Sequence, residues 1–243
     1  MPIWRCNTSV QYRPAPALAL RAAGYSGFRL PTLNELYRPF VVFPVTTQAN
    51  PALAPERLRG GELGADLRLG PARLSLTGFY NRLAGAIGNV SLSPVLRERR
   101  NLPAIEVYGL EASLGARAGA WSLQASYALN DARVAGPGAL AGRRPAQSPV
   151  DTLSATLGWA RRGWGLSVTL RHTGRQFEDD LEVDALPPAT TLDAVARVPI
   201  TPRLALLLRG ENLADARVVT RSAGGSIDLG TPRLLWIGLR WDG

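Results

Sequence analysis

The feature that most constrains the fold of this chain is a series of segments in which apolar and polar residues alternate. In the clearest of them, Trp121, Leu123, Ala125, Tyr127 and Leu129 share one face, and the residues between them are small or polar. Successive residues of a strand point to opposite faces, so this period indicates two-faced strands rather than helices. Eleven such segments occur, near residues 5–13, 17–25, 58–69, 72–83, 105–117, 120–130, 149–160, 163–174, 190–199, 202–213 and 231–241. The chain is therefore predicted to be all-β and antiparallel.

The connections between these segments are short and long in strict alternation. The short ones lie near 14–16, 70–71, 117–120, 161–163 and 201–202, and the long ones near 28–57, 85–104, 131–148, 175–188 and 214–230. Long structureless loops count against a compact soluble domain. They are expected in outer-membrane barrels, which have tight periplasmic turns and long extracellular loops.

Strand length and aromatic placement point the same way, although the alternation alone also fits a soluble sandwich. The segments are about ten residues long, as a tilted membrane strand requires, whereas sandwich strands average about five or six. Aromatic residues lie near the ends of the segments, where an interfacial girdle is expected: Tyr12, Tyr25, Tyr80, Trp121, Trp159, Trp164, Trp236 and Trp241. These features predict an antiparallel transmembrane β-barrel fragment.

Composition excludes several other classes of protein. The net charge is +9 and every basic residue is arginine, which first suggests nucleic acid, but the arginines are spread along the chain and we predict no nucleic-acid partner. One cysteine and one histidine leave little for a zinc site or a histidine-based catalyst. No nucleotide-binding, hydrolase or metalloprotease motif is present. The chain contains no run of eighteen or more apolar residues, which is the length that a transmembrane helix requires. We predict no enzyme activity, no cofactor and no metal.

Six short motifs, in order along the chain, resemble those in the barrel of TonB-dependent outer-membrane receptors. They read GFRLPTLNELY, NPALAPE followed by ELG, GLE, GRQ, ENLAD, and a closing stretch that begins GTPR. The matching positions are Phe28, Arg29, Pro31, Asn34, Glu35, Tyr37, Asn50, Pro51, Pro55, Glu56, Glu62, Gly64, Gly109, Glu111, Gly174, Arg175, Glu211, Asn212, Leu213, Asp215, Gly230, Pro232, Arg233, Gly238 and Trp241. We expect these positions to have structural roles. Pro31 cannot donate to a strand ladder, so the strand before it should end there.

The resemblance implies energised uptake of a scarce nutrient such as a ferric siderophore or cobalamin, in the outer membrane of a Gram-negative bacterium. Family members carry a signal peptide, a TonB box and a plug before a barrel of about twenty-two strands. Those segments are absent, and the family's usual terminal aromatic is replaced by Trp241-Asp-Gly. We interpret residues 1–243 as a single partial barrel domain, truncated and not transport-competent alone. The TonB complex would act only through the missing plug.

An alternative is a small self-contained or oligomeric porin or adhesin. An open sheet of eleven strands would leave two unpaired edges in lipid, which a bilayer does not tolerate, so such a protein would need another strand or a second copy.

We expect the ligand-binding residues to lie in the long loops. Arg97, Arg99 and Arg100 suit an anionic metal chelate or a lipopolysaccharide phosphate through charge-assisted hydrogen bonds, with a solvated charged loop as the alternative. Gln176 and Phe177, at the entry to an acidic loop, are further candidates. Outer-membrane lipid and lipopolysaccharide are the expected surroundings of the barrel.

Strand parity also predicts which charged side chains share the polar face of the wall. They are Asp66, Arg68, Arg73, Glu111, Arg171, Asp193, Arg197, Arg209, Glu211 and Arg240. His172 falls on the opposite, apolar face with Leu166 and Leu170.

Overall fold

A computed structural model describes residues 5–223 and 225–241. Nineteen strands and one short helix lie in the described residues. In chain order they are β1 Cys6–Ala15, β2 Leu18–Arg29, α1 Leu33–Tyr37, β3 Phe40–Val42, β4 Val45–Gln48, β5 Glu56–Leu69, β6 Ala72–Ala84, β7 Ile87–Ser93, β8 Leu96–Asn101, β9 Ala104–Ala118, β10 Trp121–Ala135, β11 Asp151–Arg161, β12 Trp164–Thr173, β13 Gln176–Phe177, β14 Ala185–Leu186, β15 Ala189–Pro199, β16 Leu204–Glu211, β17 Val219–Ala223, β18 Ser226–Leu229 and β19 Leu234–Trp241.

Eleven of these strands form one antiparallel sheet, in the order β1-β2-β5-β6-β9-β10-β11-β12-β15-β16-β19. They are the eleven predicted strands, and each pairs with its sequence neighbours through either a tight turn or a long connection. Strand β2 continues to Arg29 and β10 to Ala135, four or five residues beyond the predicted ends. The sequence alternation fades there, but the hydrogen-bonded ladder continues.

One face of the main sheet is polar. Ser75 pairs with Ser113, Ser113 with Ser126, and Ser126 with Ser154, so four hydroxyls lie in one row across four strands. This face is concave: a cavity of about 990 Å³ near the tight turns is lined by Gln11 of β1 and by strands as far away as β10.

The other face is apolar and largely exposed. Leu74 pairs with Leu114 and Leu114 with Ala125 across its middle, while Leu63 and Ile237 are 71% and 75% exposed. Exposed apolar side chains over so many adjacent strands indicate a surface that meets lipid or protein rather than water.

The predicted parity of the charged residues is confirmed by the register. Residues that pair directly across two strands lie on the same face. Arg68 pairs with Arg73, and Asp193 pairs with Thr169, so the predicted charged residues lie together on the polar face. His172 pairs with Leu153 and lies on the apolar face, as predicted.

Two aromatic residues are corrections to the predicted girdle. Tyr25 pairs with Gly60 and donates its hydroxyl to Asn81 Oδ1 at 2.9 Å, and Trp236 pairs with Arg209, so both lie on the polar face. Both residues do lie near the end of a strand, as predicted. Neighbouring residues of a strand point to opposite faces, however, so nearness to the end does not fix the face.

The long connections contain more structure than the sequence predicts. All five leave the same edge of the main sheet, here called the loop edge. They hold α1, a four-stranded sheet β3-β4-β8-β7 and the hairpins β13-β14 and β17-β18. Within the described ranges 5–223 and 225–241, no helix combines the length and hydrophobicity needed to cross a membrane.

Candidate ligand-binding rim

The five long connections are named rim loops 1 to 5, for residues 30–55, 85–103, 136–150, 174–188 and 212–233. Rim loops 1 and 2 share a sheet through parallel pairing of β4 with β8, in which Thr47 pairs with Arg97. Thr47 is buried at this junction. The two loops therefore form one unit rather than two independent loops.

Side chains from both loops reinforce this unit. Asn50 donates its carboxamide to the Arg99 carbonyl at 2.9 Å and accepts from the Ala52 amide at 2.9 Å. Asn101 accepts from the Ala54 amide at 2.8 Å and donates to the Gly85 carbonyl at 2.6 Å. Asn50 belongs to the quoted motif, whereas Asn101 was not identified from the sequence.

The GFRLPTLNELY motif forms the exit from β2. The strand ends at Arg29, two residues before Pro31, because proline cannot donate to the ladder. Arg29 then forms ion pairs with Glu56 of β5 and, at 2.9 Å, with Glu35 of α1. One guanidinium thus connects the end of β2, the start of β5 and the helix between them.

Thr32 and Glu35 form a capping box at the start of α1. The Thr32 amide donates to the Glu35 carboxylate at 2.7 Å, and the Glu35 amide donates to the Thr32 hydroxyl at 3.2 Å. Partial desolvation would raise the pKa of Glu35, but hydrogen bonds from Arg29 and Thr32 outweigh it and hold that pKa below its ordinary value. The spacing Thr-x-x-Glu was a sequence signal for this helix, and the prediction missed it.

Glu56 connects rim loops 1 and 2 from below. It is buried, binds Arg29, and accepts from the Ile87 amide at the start of β7 at 2.7 Å. Pro51 lies in a turn of the segment that leads into this residue, and Pro55 directly precedes it. Glu56, the last residue of the NPALAPE motif, therefore fixes where both loops leave the main sheet.

The three predicted ligand arginines lie in β8 but have different surroundings. Arg99 donates to the carbonyls of Asn34 and Arg38, and its guanidinium lies 5.1 Å from the centre of the Phe40 ring. Arg100 pairs with Glu98 at 2.6 Å. Arg97 is half-buried, and in the part of the chain that the structure describes its guanidinium has no hydrogen-bond or ion-pair partner.

Gln176 and Phe177 form the short strand β13 in rim loop 4. Phe177 is 7% exposed, and the guanidinium of Arg175 lies 4.8 Å from its ring centre. The Gln147 amide donates to the Phe177 carbonyl at 2.7 Å. Phe177 is thus packed between rim loops 3 and 4, while Gln176 is half-buried.

The acidic residues of rim loop 4 are used to organise the rim. Asp179 is buried and accepts from the amides of Leu181, Val183 and Asp184 at 2.6 to 3.3 Å. Asp180 accepts from the Ser91 hydroxyl at 2.9 Å, which joins rim loops 2 and 4.

Rim loop 3 is held by a buried arginine that was not predicted to have a role from the sequence. Arg144 is 4% exposed, donates to the Asn130 carbonyl at 2.7 Å and pairs with Asp131 at 2.9 Å. Its amide donates to Glu182 of rim loop 4 at 2.7 Å. Four of the five loops are therefore linked to at least one other loop by side-chain hydrogen bonds.

The ENLAD motif closes rim loop 5 on itself. Asn212 is 4% exposed, donates to the carbonyls of Ala216 and Thr231, and accepts from the Ala216 amide. Asp215 accepts from the Arg233 amide at 3.1 Å. Asn212 and Asp215 have φ of 46° and 52°, which asparagine and aspartate tolerate better than most residues.

Motif glycines in the main sheet make room for neighbouring side chains. A Cβ at Gly109 would lie 2.1 Å from the Phe79 ring, and one at Gly64 would lie 2.9 Å from the Arg21 guanidinium. That guanidinium pairs with Asp66 at 2.8 Å and donates to Ser75 at 3.1 Å. The remaining motif positions on or beside the sheet are Glu62, Glu111, Gly174, Gly230, Pro232, Gly238 and Trp241.

Comparison with known proteins adds a family assignment. A family model described as "TonB dependent receptor-like, beta-barrel" matches residues 7–213. The vitamin B12 transporter BtuB of Photobacterium profundum is 25% identical over 222 residues, which is 90% of this chain and 34% of that protein. The chain thus spans about a third of the length of this curated relative.

Solved structures agree in fold. The siderophore receptor PiuA of Acinetobacter baumannii superposes with a TM-score of 0.78 at 14% identity, over 97% of this chain and 35% of that one. The ferric yersiniabactin uptake receptor FyuA of Yersinia pestis gives a TM-score of 0.78 at 17% identity, over 98% and 37%. The copper transporter OprC gives 0.77 at 14% identity, over 97% and 39%.

These similarities confirm the predicted fold, a partial receptor barrel, and the predicted family resemblance. Members of this class are outer-membrane β-barrels. The chain belongs to the TonB-dependent receptor-like β-barrel family.

Proposed function

We propose that this chain forms part of the wall and the outer loops of a receptor in the outer membrane of a Gram-negative bacterium, with the main sheet crossing the bilayer as multiple strands. The apolar face of the sheet meets lipid and the concave polar face lines the lumen. The rim loops lie outside the cell, and they bind a scarce nutrient, such as a ferric siderophore or cobalamin.

Arg97 is the observation that carries the ligand proposal. It is half-buried in the sheet shared by rim loops 1 and 2, and its guanidinium has no hydrogen-bond or ion-pair partner within the described residues, whereas the guanidiniums of Arg99 and Arg100 are engaged. A guanidinium held by structure but left unpaired suits an anionic metal chelate, because its planar donors match carboxylate or phenolate oxygens.

Binding by the purified chain in detergent micelles tests this proposal. Tryptophan quenching would be measured with a ferric catecholate, a ferric hydroxamate and cyanocobalamin. Loss of one charge-assisted hydrogen bond costs about 1.5–3 kcal/mol, so Arg97→Ala should weaken binding about tenfold or more. Arg68→Ala, on the polar face near the tight turns, is the matched control. Equal binding by Arg97→Ala and the parent chain, or no binding of any probe, would contradict the proposal.

We propose that the chain binds without transporting, since the energy of transport reaches a receptor through the plug and the TonB complex. Reconstituted vesicles should take up no probe, and planar bilayers containing the chain should not conduct. Steady conductance would instead favour the self-contained or oligomeric porin, for which the supporting observation is that the outer edges of β1 and β19 pair with no strand among the described residues.

A further inference from the structure

The apolar face of the main sheet becomes basic immediately beyond its aromatic residues at the loop edge. Arg59 pairs with Arg82, Arg82 with Glu106, and Glu106 with Arg133, so these four residues form one row across β5, β6, β9 and β10. Arg57 lies two residues further along β5 on the same face. We call Arg57, Arg59, Arg82 and Arg133 the outward arginine patch.

The register gives the height of this patch. On β10 the apolar face runs from Trp121 to Asp131, which is ten residues, or about 33 Å at about 3.3 Å per residue. A strand tilted by about 40° then spans about 25 Å of bilayer, the height of the apolar band of outer-membrane barrels. Asp131 pairs with Tyr108, whose ring lies 4.7 Å from that of Tyr80. These two tyrosines mark the outer interface, and the arginine row lies one step above them.

The patch carries excess positive charge. All four arginines are exposed. Arg82 pairs with Glu106, and Arg133 pairs with Asp131 at 2.9 Å. The guanidiniums of Arg57 and Arg59 have no hydrogen-bond or ion-pair partner among residues 5–223 and 225–241. Four guanidinium groups therefore face two carboxylates.

The charge is confined to one side of the wall. At the loop-edge ends of the neighbouring strands β11, β12 and β15, the last residues on the apolar face are Asp151, His172 and Thr190 instead of arginine. A general need for charge above the membrane would not produce this difference. The arrangement is that of a local site for an anion on the membrane-facing surface.

We propose that the outward arginine patch binds the phosphate groups of a lipopolysaccharide molecule. This inference rests on the proposed outer-membrane location, which brings the patch to the outer leaflet. The phosphates of lipid A lie at the boundary between acyl chains and sugar, which is the height of the patch. Guanidinium forks match phosphate oxygens in pairs, and Tyr80, Tyr108 and Leu110 below the row would contact acyl chains.

The experiment measures binding of lipid A to the chain in detergent micelles by native mass spectrometry and calorimetry. Bisphosphorylated, monophosphorylated and fully dephosphorylated lipid A would be compared. The double variant Arg57→Ala/Arg59→Ala removes the two unpaired guanidiniums without exposing a carboxylate. It should bind bisphosphorylated lipid A at least about tenfold more weakly, while Arg68→Ala/Arg73→Ala on the polar face should bind like the parent chain. The affinity should also fall with added salt, since the contacts are ionic.

Two different failures are distinguishable. A chain that folds into micelles, as judged by β-sheet circular dichroism and protease protection of the strands, but binds all three lipids equally overturns the phosphate site and leaves the proposed function intact. Equal binding by the double variant does the same. A chain that remains in the aqueous phase with a folded sheet overturns the membrane location and this site with it.

Discussion

The main sheet and the rim loops of this protein are stabilised in different ways. The sheet is held by continuous antiparallel ladders, and its side chains repeat with a period of two from β1 to β19. The loops contain only short ladders, and they depend also on single side-chain contacts. Examples are Arg29 with Glu35 and Glu56, Arg144 with Asp131, and Asn212 with Ala216 and Thr231. In the sheet, many side chains could be replaced by others that suit the same face. In the rim loops, few side chains could be replaced in this way.

The difference teaches where a substitution should matter. A ladder satisfies every backbone group locally, so a side chain in the sheet matters mainly through the environment that its face meets. A long loop has few ladder bonds, so one buried carboxamide or guanidinium satisfies several backbone groups at once. The predictions below test this contrast.

The largest effect is expected for a charge placed on the apolar face. Leu114 lies in the middle of that face, and Leu114→Arg should destabilise the inserted chain by about 2–4 kcal/mol, the cost of arginine at the bilayer midplane. Urea titration of the chain in phospholipid vesicles measures it. The matched control is Ser113→Arg, one residue away on the polar face, which should change stability by less than about 1 kcal/mol. Equal losses would show that the apolar face does not meet lipid.

Asn212→Ala should have the next largest effect, on rim loop 5 alone. It leaves two carbonyls and one amide without their carboxamide partner and places alanine at a φ of 46°, at a cost of about 2–3 kcal/mol. Amide hydrogen exchange across 212–233 measures the local opening. Asn7→Ala, at an exposed position of β1, is the control and should leave that exchange unchanged. Unchanged exchange in Asn212→Ala itself would contradict the role assigned to this residue.

Glu56→Gln should loosen rim loops 1 and 2 together. It removes the charge that binds Arg29 and weakens the bond from the Ile87 amide, which costs about 1–2 kcal/mol for a buried, charge-assisted contact. Hydrogen exchange should rise in both 30–55 and 85–103. Glu111→Gln, exposed on the polar face, should affect neither. A rise confined to one loop would show that Glu56 does not couple them.

Acid should produce the smallest effect, on α1. The pKa of Glu35 is held below its ordinary value of 4.5, so its carboxylate contributes stability above that value and loses it as the pH falls through the lower, folded value. The protection of the amides in 32–38, which is the intrinsic exchange rate divided by the measured rate at the same pH, should therefore fall below about pH 4.5. In Glu35→Gln this pH dependence should disappear, and a persistent one would assign it to another group.

The sequence predicted the sheet well and the rim poorly, and the reason is physical. Alternation over ten residues is a repeated signal, so an error at one position leaves the strand and its faces intact. Tyr25 and Trp236 were misplaced because nearness to a strand end does not reveal which face a residue occupies. The capping box of Thr32 and Glu35 was a local signal in the sequence, yet only its Glu35 was singled out.

Other rim contacts have no local signal at all. Ser91 and Asp180 are 89 residues apart in the chain, and Asn101 and Ala54 are 47 apart. The parallel pairing of β4 with β8 likewise joins two loops that look unrelated in sequence. Such pairs meet only because strands between them bring the loops to one edge of the sheet.

By itself, the sequence determined the eleven strands of the main sheet, their order along the chain, their two faces and the resemblance that identified the family, because each depends on short-range periodicity or on a contiguous motif. The tertiary structure alone decided that the Arg97 guanidinium has no partner among the described residues while those of Arg99 and Arg100 are engaged, and that Phe177 is buried. It also decided that three arginines from three strands, joined by Glu106, form one outward row. These properties depend on which distant segments are adjacent, and ladder register and loop packing fix that adjacency at a range that local sequence patterns do not reach.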